Sequence, residues 1–228
     1  MAHYFVTGTD TDVGKTCVAA ALLSLARQAG LTTAAVKPVA AGCQFVTGRW
    51  VNDDALCLQA QCWPPLEYAA VNPVAFEAPI APHIAAAEQG VSLSVTALAQ
   101  ASRAVLAQGA DFAVVEGAGG WRVPLSDTET LAELAQVLAL PVILVVGMRL
   151  GCINHALLSV EAIRRDGLHL AGWVANVVDP DTARLDANID TLQRQIAAPC
   201  VGVVPYLTEP SPAALSAYLR LESLEPRV

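Results

Sequence analysis

Short, almost wholly apolar runs recur along the chain and are separated by longer stretches in which apolar and polar positions mix at helical spacing. The runs His3-Tyr4-Phe5-Val6-Thr7, Thr33-Ala34-Ala35-Val36, Phe112-Ala113-Val114-Val115, Val142-Ile143-Leu144-Val145-Val146, 170–178 and Val201-Gly202-Val203-Val204 read as strands. Between them, residues 15–28, 55–62, 84–89, 94–108, 128–140, 152–166 and 181–196 read as helices, and another starts near Pro212. Gly30 and Gly109 are stop signals, Pro64-Pro65 and Pro141 end two more helices, and Ser94 is a cap. Residues 40–50 read as a loop around Gly42 and Gly48, and the prolines at 73, 79 and 82 fragment a connecting lobe. Strands without polar alternation are buried on both faces. Their regular exchange with helices predicts a mostly parallel sheet, covered by helices on both sides and wound by right-handed crossovers.

The first strand leads into the strongest chemical signal. Gly8 to Gly14 is turn-forming, and Gly14-Lys15-Thr16 opens the first helix. A helix start carries unpaired N–H groups and partial positive charge, glycine permits close backbone approach, lysine reaches terminal phosphates and the threonine hydroxyl can ligate Mg²⁺. Five residues separate Gly8 from Gly14, where the common phosphate-loop pattern has about four. The fold class is therefore α/β, a single-domain P-loop NTPase-type fold over residues 1–228.

Composition narrows the setting. The chain is 54% hydrophobic, but its longest apolar run, 137–148, is broken by Pro141, and a spanning helix needs about 20 apolar residues. No basic and apolar leader is visible at the N-terminus, so a cytoplasmic location is expected. A formal net charge of −8 argues against a nucleic-acid surface. Six cysteines without a secretory signal are expected to stay reduced, and Cys57 and Cys62 lack the second pair that a zinc site requires.

Other candidates lie at strand ends. Lys37 follows a strand and precedes Pro38, at the carboxyl edge where open sheets bind ligands. Glu116 ends another strand beside Gly117, Gly119 and Gly120, and reads either as an acid beside Mg²⁺ or as a turn glutamate. Of Asp53 and Asp54, one is expected to cap the helix that follows, and the other can reach a metal. Gly151 to Asn154 is a second helix start facing a strand edge, and the Asn176 amide suits a base edge or a turn. His83 reads as a helix-start or core residue.

Taken in order, Val6 to Thr16, Lys37-Pro38-Val39, Asp54-Ala55-Leu56, Pro82-His83, Val115 to Gly120, Leu150 to His155 and Gly172 to Asn176 closely resemble the dethiobiotin synthetases over nearly the whole chain. The resemblance implies an ATP-dependent ligase that joins 7,8-diaminopelargonic acid and CO2 into a cyclic urea, with Mg²⁺ as cofactor and a homodimer as the working form. It implies Thr16, Asp54 and Glu116 as metal residues and Lys15, Thr16 and Lys37 as the catalytic set. Nucleotide would be held by Asp12, Val13, Gly14, Lys15, Thr16, Cys17, Asp54, Glu116, Gly117, Ala118, Gly119, Asn176, Val177, Pro205, Tyr206, Leu207 and Glu209. The diamine would meet Lys37 and position 41, and its distant carboxylate would reach Gly151, Cys152, Ile153 and Asn154 of the partner subunit. Position 41 departs from the family pattern, with Ala41 in place of serine or threonine. The alternative is a nucleotide-switched ATPase of the partitioning or nitrogenase-iron-protein type, whose extra loop lysine is replaced here by Asp10.

Overall fold

The computed structural model describes residues 1–224; the last four residues of the expected 1–228 domain lie outside them. The chain opens with β1 (Ala2–Gly8), α1 (Lys15–Gln28), β2 (Thr33–Val36) and the short β3 (Val39–Ala40). A hairpin, β4 (Gln44–Val46) and β5 (Arg49–Val51), precedes α2 (Asp53–Gln59), α3 (Tyr68–Val71), β6 (Val74–Ala75) and α4 (Pro82–Glu88). Then come α5 (Val95–Leu106), β7 (Phe112–Glu116), α6 (Leu131–Leu138), β8 (Val142–Met148), α7 (Cys152–Arg165) and β9 (Leu170–Val177). After these come α8 (Leu185–Gln195), β10 (Cys200–Val204), α9 (Pro212–Ser216) and a 3-10 turn, Leu221–Ser223.

Among the described residues, six strands form the main sheet in the order β10-β9-β8-β1-β7-β2, and every pairing in it is parallel. The apolar runs explain this arrangement. All seven residues of β8 and all five of β7 are buried, because each has neighbours on both sides and helices above and below. One face packs Phe5, Val115, Leu144 and Trp173 against α5, α6 and α7. The other packs Val6, Val114 and Val145 against α1. The run from Val18 to Leu23 on α1 is fully buried, which accounts for its content of alanine and leucine where polar residues would otherwise alternate.

Crossing from β1 to β2 and back to β7 fills one side of β1, while β8, β9 and β10 extend the other. The direction of winding therefore reverses at β1. Ligands bind at the carboxyl edge beside such a reversal. Gly8, Glu116, Met148 and Val177 end their strands there, and Lys37 follows β2 directly.

Two local expectations change. Residues 40–50 are not a plain loop: β4 and β5 pair antiparallel across Thr47 and Gly48, with φ of 48° and 87°. Two successive positive φ values match a tight hairpin turn, and Phe45 and Trp50 face each other with ring centroids 5.2 Å apart. Neither Asp53 nor Asp54 caps α2. Asn52 does so, its side-chain oxygen accepting from the Ala55 N–H at 3.2 Å. Helices α6 and α8 also begin later than expected, α6 at a capping box between Thr130 and Glu133 and α8 after Arg184 at φ 56°. Ser94 caps α5 as expected.

Candidate active site

The loop after β1 is held from several sides. Its Thr9 N–H donates to the Val145 carbonyl, and the Val13 side chain is buried. A methyl at Gly8 would lie 2.6 Å from that valine, which is why β1 ends in glycine. Arg149, just past β8, donates to the Asp10 carboxylate at 2.6 Å and ties the loop to the neighbouring strand end. The Lys15 ammonium donates to the Asp10 carbonyl at 2.9 Å. Burial and the nearby Lys37 charge lower the Lys15 pKa below the usual lysine value, while Glu116, Asp54 and Asp12 offset part of that effect.

Beside the loop, three chain segments meet. Lys37 is 4% exposed and places its ammonium 2.6 Å from Glu116 Oε1 and 3.1 Å from Asp54 Oδ2. The Thr16 hydroxyl donates to the same Glu116 oxygen at 2.8 Å. Burial pulls the Lys37 pKa down, yet the two carboxylates outweigh burial and hold it above the ordinary value, so the ammonium stays charged. Glu116 is 0% exposed and its Oε2 has no hydrogen-bond partner among the described residues. An orphaned buried carboxylate oxygen, a threonine hydroxyl and a half-exposed aspartate form a hard oxygen set of the kind Mg²⁺ takes alongside phosphates and water. The residues present therefore fit that ion. Among the described residues no three His, Cys, Asp or Glu side chains cluster as a self-sufficient metal site.

A cavity of about 840 Å³ opens beside this cluster, lined in part by Lys15, Thr16, Lys37, Ala41, Asp54 and Arg122. A second, of about 150 Å³, lies across the loop between the ends of β9 and β10, with Asn176, Val177, Pro205, Tyr206 and Leu207 in its wall. Asp12, Gly14 and Cys17 border both. The phosphate loop thus stands between a small slot and a larger chamber whose wall mixes charged and apolar side chains.

The family model described as an AAA domain matches residues 2–214. ATP-dependent dethiobiotin synthetase BioD of Pseudomonas aeruginosa is 61% identical over 224 residues, covering 98% of both chains. The protein of the same name from Cellvibrio japonicus is 61% identical over 221 residues, covering 97% of this chain and 96% of the other. This chain belongs to the dethiobiotin synthetase family. It is an ATP-dependent ligase, and the partitioning-type ATPase alternative falls away. The solved structure of the signal recognition particle receptor FtsY from Elizabethkingia anophelis shares the fold alone, at 15% identity and a TM-score of 0.54 over 97% of this chain. The chain spans 63% of that receptor's length.

Most residues expected of a dethiobiotin synthetase converge on the two cavities. Gly117 and Ala118 continue β7, Gly117 donating to the Val6 carbonyl, and Ala118 and Gly119 reach the chamber wall. Asn176 sits beneath the loop, its amide donating to the Val13 carbonyl at 2.9 Å, so one of its groups is already committed to the protein. Glu209 is exposed and outside the lining of either cavity. Gly151, Cys152, Ile153 and Asn154 start α7 and do not line the larger cavity; Cys152 is buried in the core, while Asn154 and the preceding Leu150 are exposed. His83 is the second residue of α4. Burial pushes the Cys17 and Cys43 thiols up, and Cys57 and Cys62 to about 11, so none of these four is poised as a thiolate nucleophile. Among the described residues, no helix is long and apolar enough to cross a membrane.

A supporting network with no local sequence signature holds these segments together. The Asn52 N–H donates to the Tyr68 hydroxyl at 2.8 Å, that hydroxyl donates to Asn72 Oδ1 at 3.0 Å, and Asn72 Nδ2 donates to the Lys37 carbonyl at 2.8 Å. Asn52 also donates to the Ala41 carbonyl at 3.3 Å. These bonds set the backbone positions of Lys37, Ala41 and Asp54 relative to one another. Asn72-Pro73 had signalled only a break in the chain.

Ala41 has no hydroxyl to offer the chamber it lines. Ala41→Ser is expected to lower the KM of the non-nucleotide substrate about fivefold, the worth of one neutral hydrogen bond. Steady-state kinetics with that substrate varied checks this, and an unchanged or higher KM would show that no contact is missing at position 41.

Proposed function

We propose that this protein carboxylates 7,8-diaminopelargonic acid and closes it to dethiobiotin at the expense of ATP, as a step of biotin synthesis. Residues 1–228 act as one domain, working in the cytoplasm as a homodimer on small molecules, apart from nucleic acid and membranes. The observation that carries the reading is the buried Lys37 ammonium, held between Glu116 and Asp54 at the side of a phosphate loop and facing a chamber large enough for a second substrate. A passive nucleotide binder has no need of that arrangement.

In this reading ATP places its base in the slot bounded by Asn176 and Pro205 to Leu207. Its phosphates lie over Gly14, Lys15 and Thr16, where the helix start and the Lys15 ammonium stabilise their charge. One amine of the diamine adds to CO2 and loses a proton, giving a carbamate. A carbamate oxygen then attacks the γ-phosphorus, the bond to ADP breaks, and a carbamic-phosphoric anhydride remains. The second amine attacks the carbonyl carbon and gives up a proton, the bond to phosphate breaks with phosphate carrying away the electron pair, and the cyclic urea is complete. Two anions must approach each other in the second step. Lys37 and Lys15 relieve their repulsion and orient them, and no side chain acts as nucleophile. Mg²⁺, held by Thr16, Asp54 and Glu116, would neutralise charge on the phosphate oxygens. Gly151 to Asn154 would take the distant carboxylate of a diamine bound to the partner subunit.

The test is phosphate release by the purified protein with ATP, Mg²⁺ and bicarbonate, with and without the diamine. Release that requires the diamine and yields a cyclic urea supports the reading. Release indifferent to the diamine would overturn it.

A further inference from the structure

Arg122 was not singled out by the sequence, yet it stands in the wall of the larger cavity with Lys37 and Ala41. Its side chain is 44% exposed and donates to Asp166 Oδ1 at 2.7 Å. Asp166 is itself only 11% exposed, and its other oxygen accepts from the buried Trp121 indole at 2.7 Å. The Gln136 side chain donates to the Asp166 carbonyl at 2.9 Å. Asp166 follows the last residue of α7, where a negative charge opposes the helix dipole. Its two charge-compensating donors both come from the segment after β7, so the aspartate fixes that segment and with it the guanidinium.

An arginine has five N–H donors, and among the described residues one of Arg122 is spent on Asp166. The rest remain available on a fork that the Asp166 bond restrains and that matches the geometry of a carboxylate. Lys37, by contrast, is already flanked by two acids. The cavity therefore contains a cation beyond the Lys15 and Lys37 pair that the reaction employs, anchored from behind by a carboxylate outside the cavity lining.

We propose that Arg122 is a binding residue of the reaction cavity, meeting a carboxylate-class oxygen of the diamine substrate, and that Asp166 positions it; this rests on the ligase reading above. The oxygen belongs either to the carbamate or to the distant carboxylate, which Arg122 would then share with the start of the partner subunit's α7. Arg122→Ala is expected to raise the KM of the diamine about tenfold or more, the worth of a charge-assisted hydrogen bond. The KM of ATP should stay within about twofold, because the guanidinium lies outside the base slot.

The experiment compares wild type, Arg122→Ala, Arg122→Lys, Asp166→Ala and the double variant, with diamine and ATP varied separately. It adds an analogue whose distant carboxylate is a primary amide, a melting curve for each variant, and calorimetric binding of the diamine. If the Arg122→Ala penalty disappears with the amide analogue, the oxygen is the distant carboxylate; if it persists, the oxygen is the carbamate's. Asp166→Ala should reproduce the KM effect and add nothing to Arg122→Ala, and Asp166→Asn substitutes if the alanine variant melts early. Additive losses would overturn the positioning role. An unchanged diamine KM in Arg122→Ala, or an equal rise in the KM of ATP, would overturn the binding role while leaving diamine-dependent turnover intact. A wild-type protein that neither binds nor turns over the diamine would overturn both this proposal and the ligase reading.

Discussion

Lys37→Ala is expected to lower turnover by about 10²–10³-fold, the usual cost of removing one well-placed charge-stabilising donor. It is also expected to lower the melting temperature. Lys37 is 4% exposed and bonds a glutamate that is 0% exposed. Taking away one partner of such a pair leaves the other charged and unsolvated, at about 3–5 kcal/mol. A solvated lysine at a strand edge would have left the fold unaffected; burial is what adds the second effect. The two are separated by measuring kcat at saturating ATP and diamine alongside a thermal melt. A fully active variant would remove Lys37 from the site, and a loss of activity that only tracks unfolding would reduce it to a structural counter-ion for Glu116.

The second large effect is expected at Gly14, which has φ of 84° and would place a side-chain carbon 2.3 Å from the Asn176 amide nitrogen. A residue with a Cβ loses about 1–2 kcal/mol in the left-handed region, and Asn176 would lose its bond to the Val13 carbonyl, at about 1 kcal/mol. The loop relieves this strain by moving, and bound phosphate must restore it. Gly14→Ala is accordingly expected to weaken ATP binding about 30- to 150-fold. Calorimetric titration with ATP checks this, and native affinity in the variant would mean that the loop tolerates a side chain there. Because β9 and α1 are paired by no local sequence rule, this clash is visible only in three dimensions.

The same division runs through the rest of the molecule. The core strands were legible because a strand buried on both faces must be apolar throughout, as in 142–146, and because helices between such strands force parallel pairing. The hairpin at 44–51 is not legible in the sequence although Thr47-Gly48 sits between β-prone triplets, since a strand pair with an exposed face lacks the uninterrupted apolar run that marks the others. Either aspartate suits the cap of α2, because acids favour that position, but Asn52 precedes both and takes it. That frees Asp54 to reach Lys37.

Residue order alone specifies the strand-loop-helix phosphate site, the parallel α/β class and the ligase family. Each depends on residues close together in the chain, or on a run of such motifs in a set order. Which charges meet is settled in the folded chain. Lys37 and Glu116 are 79 residues apart and touch because β2 pairs beside β7. Arg122 and Asp166 are 44 apart and touch because the segment after β7 crosses to the end of α7. Side-chain partners at such separations follow from strand order and from which groups are left unsolvated, and neither is written in any local pattern of residues.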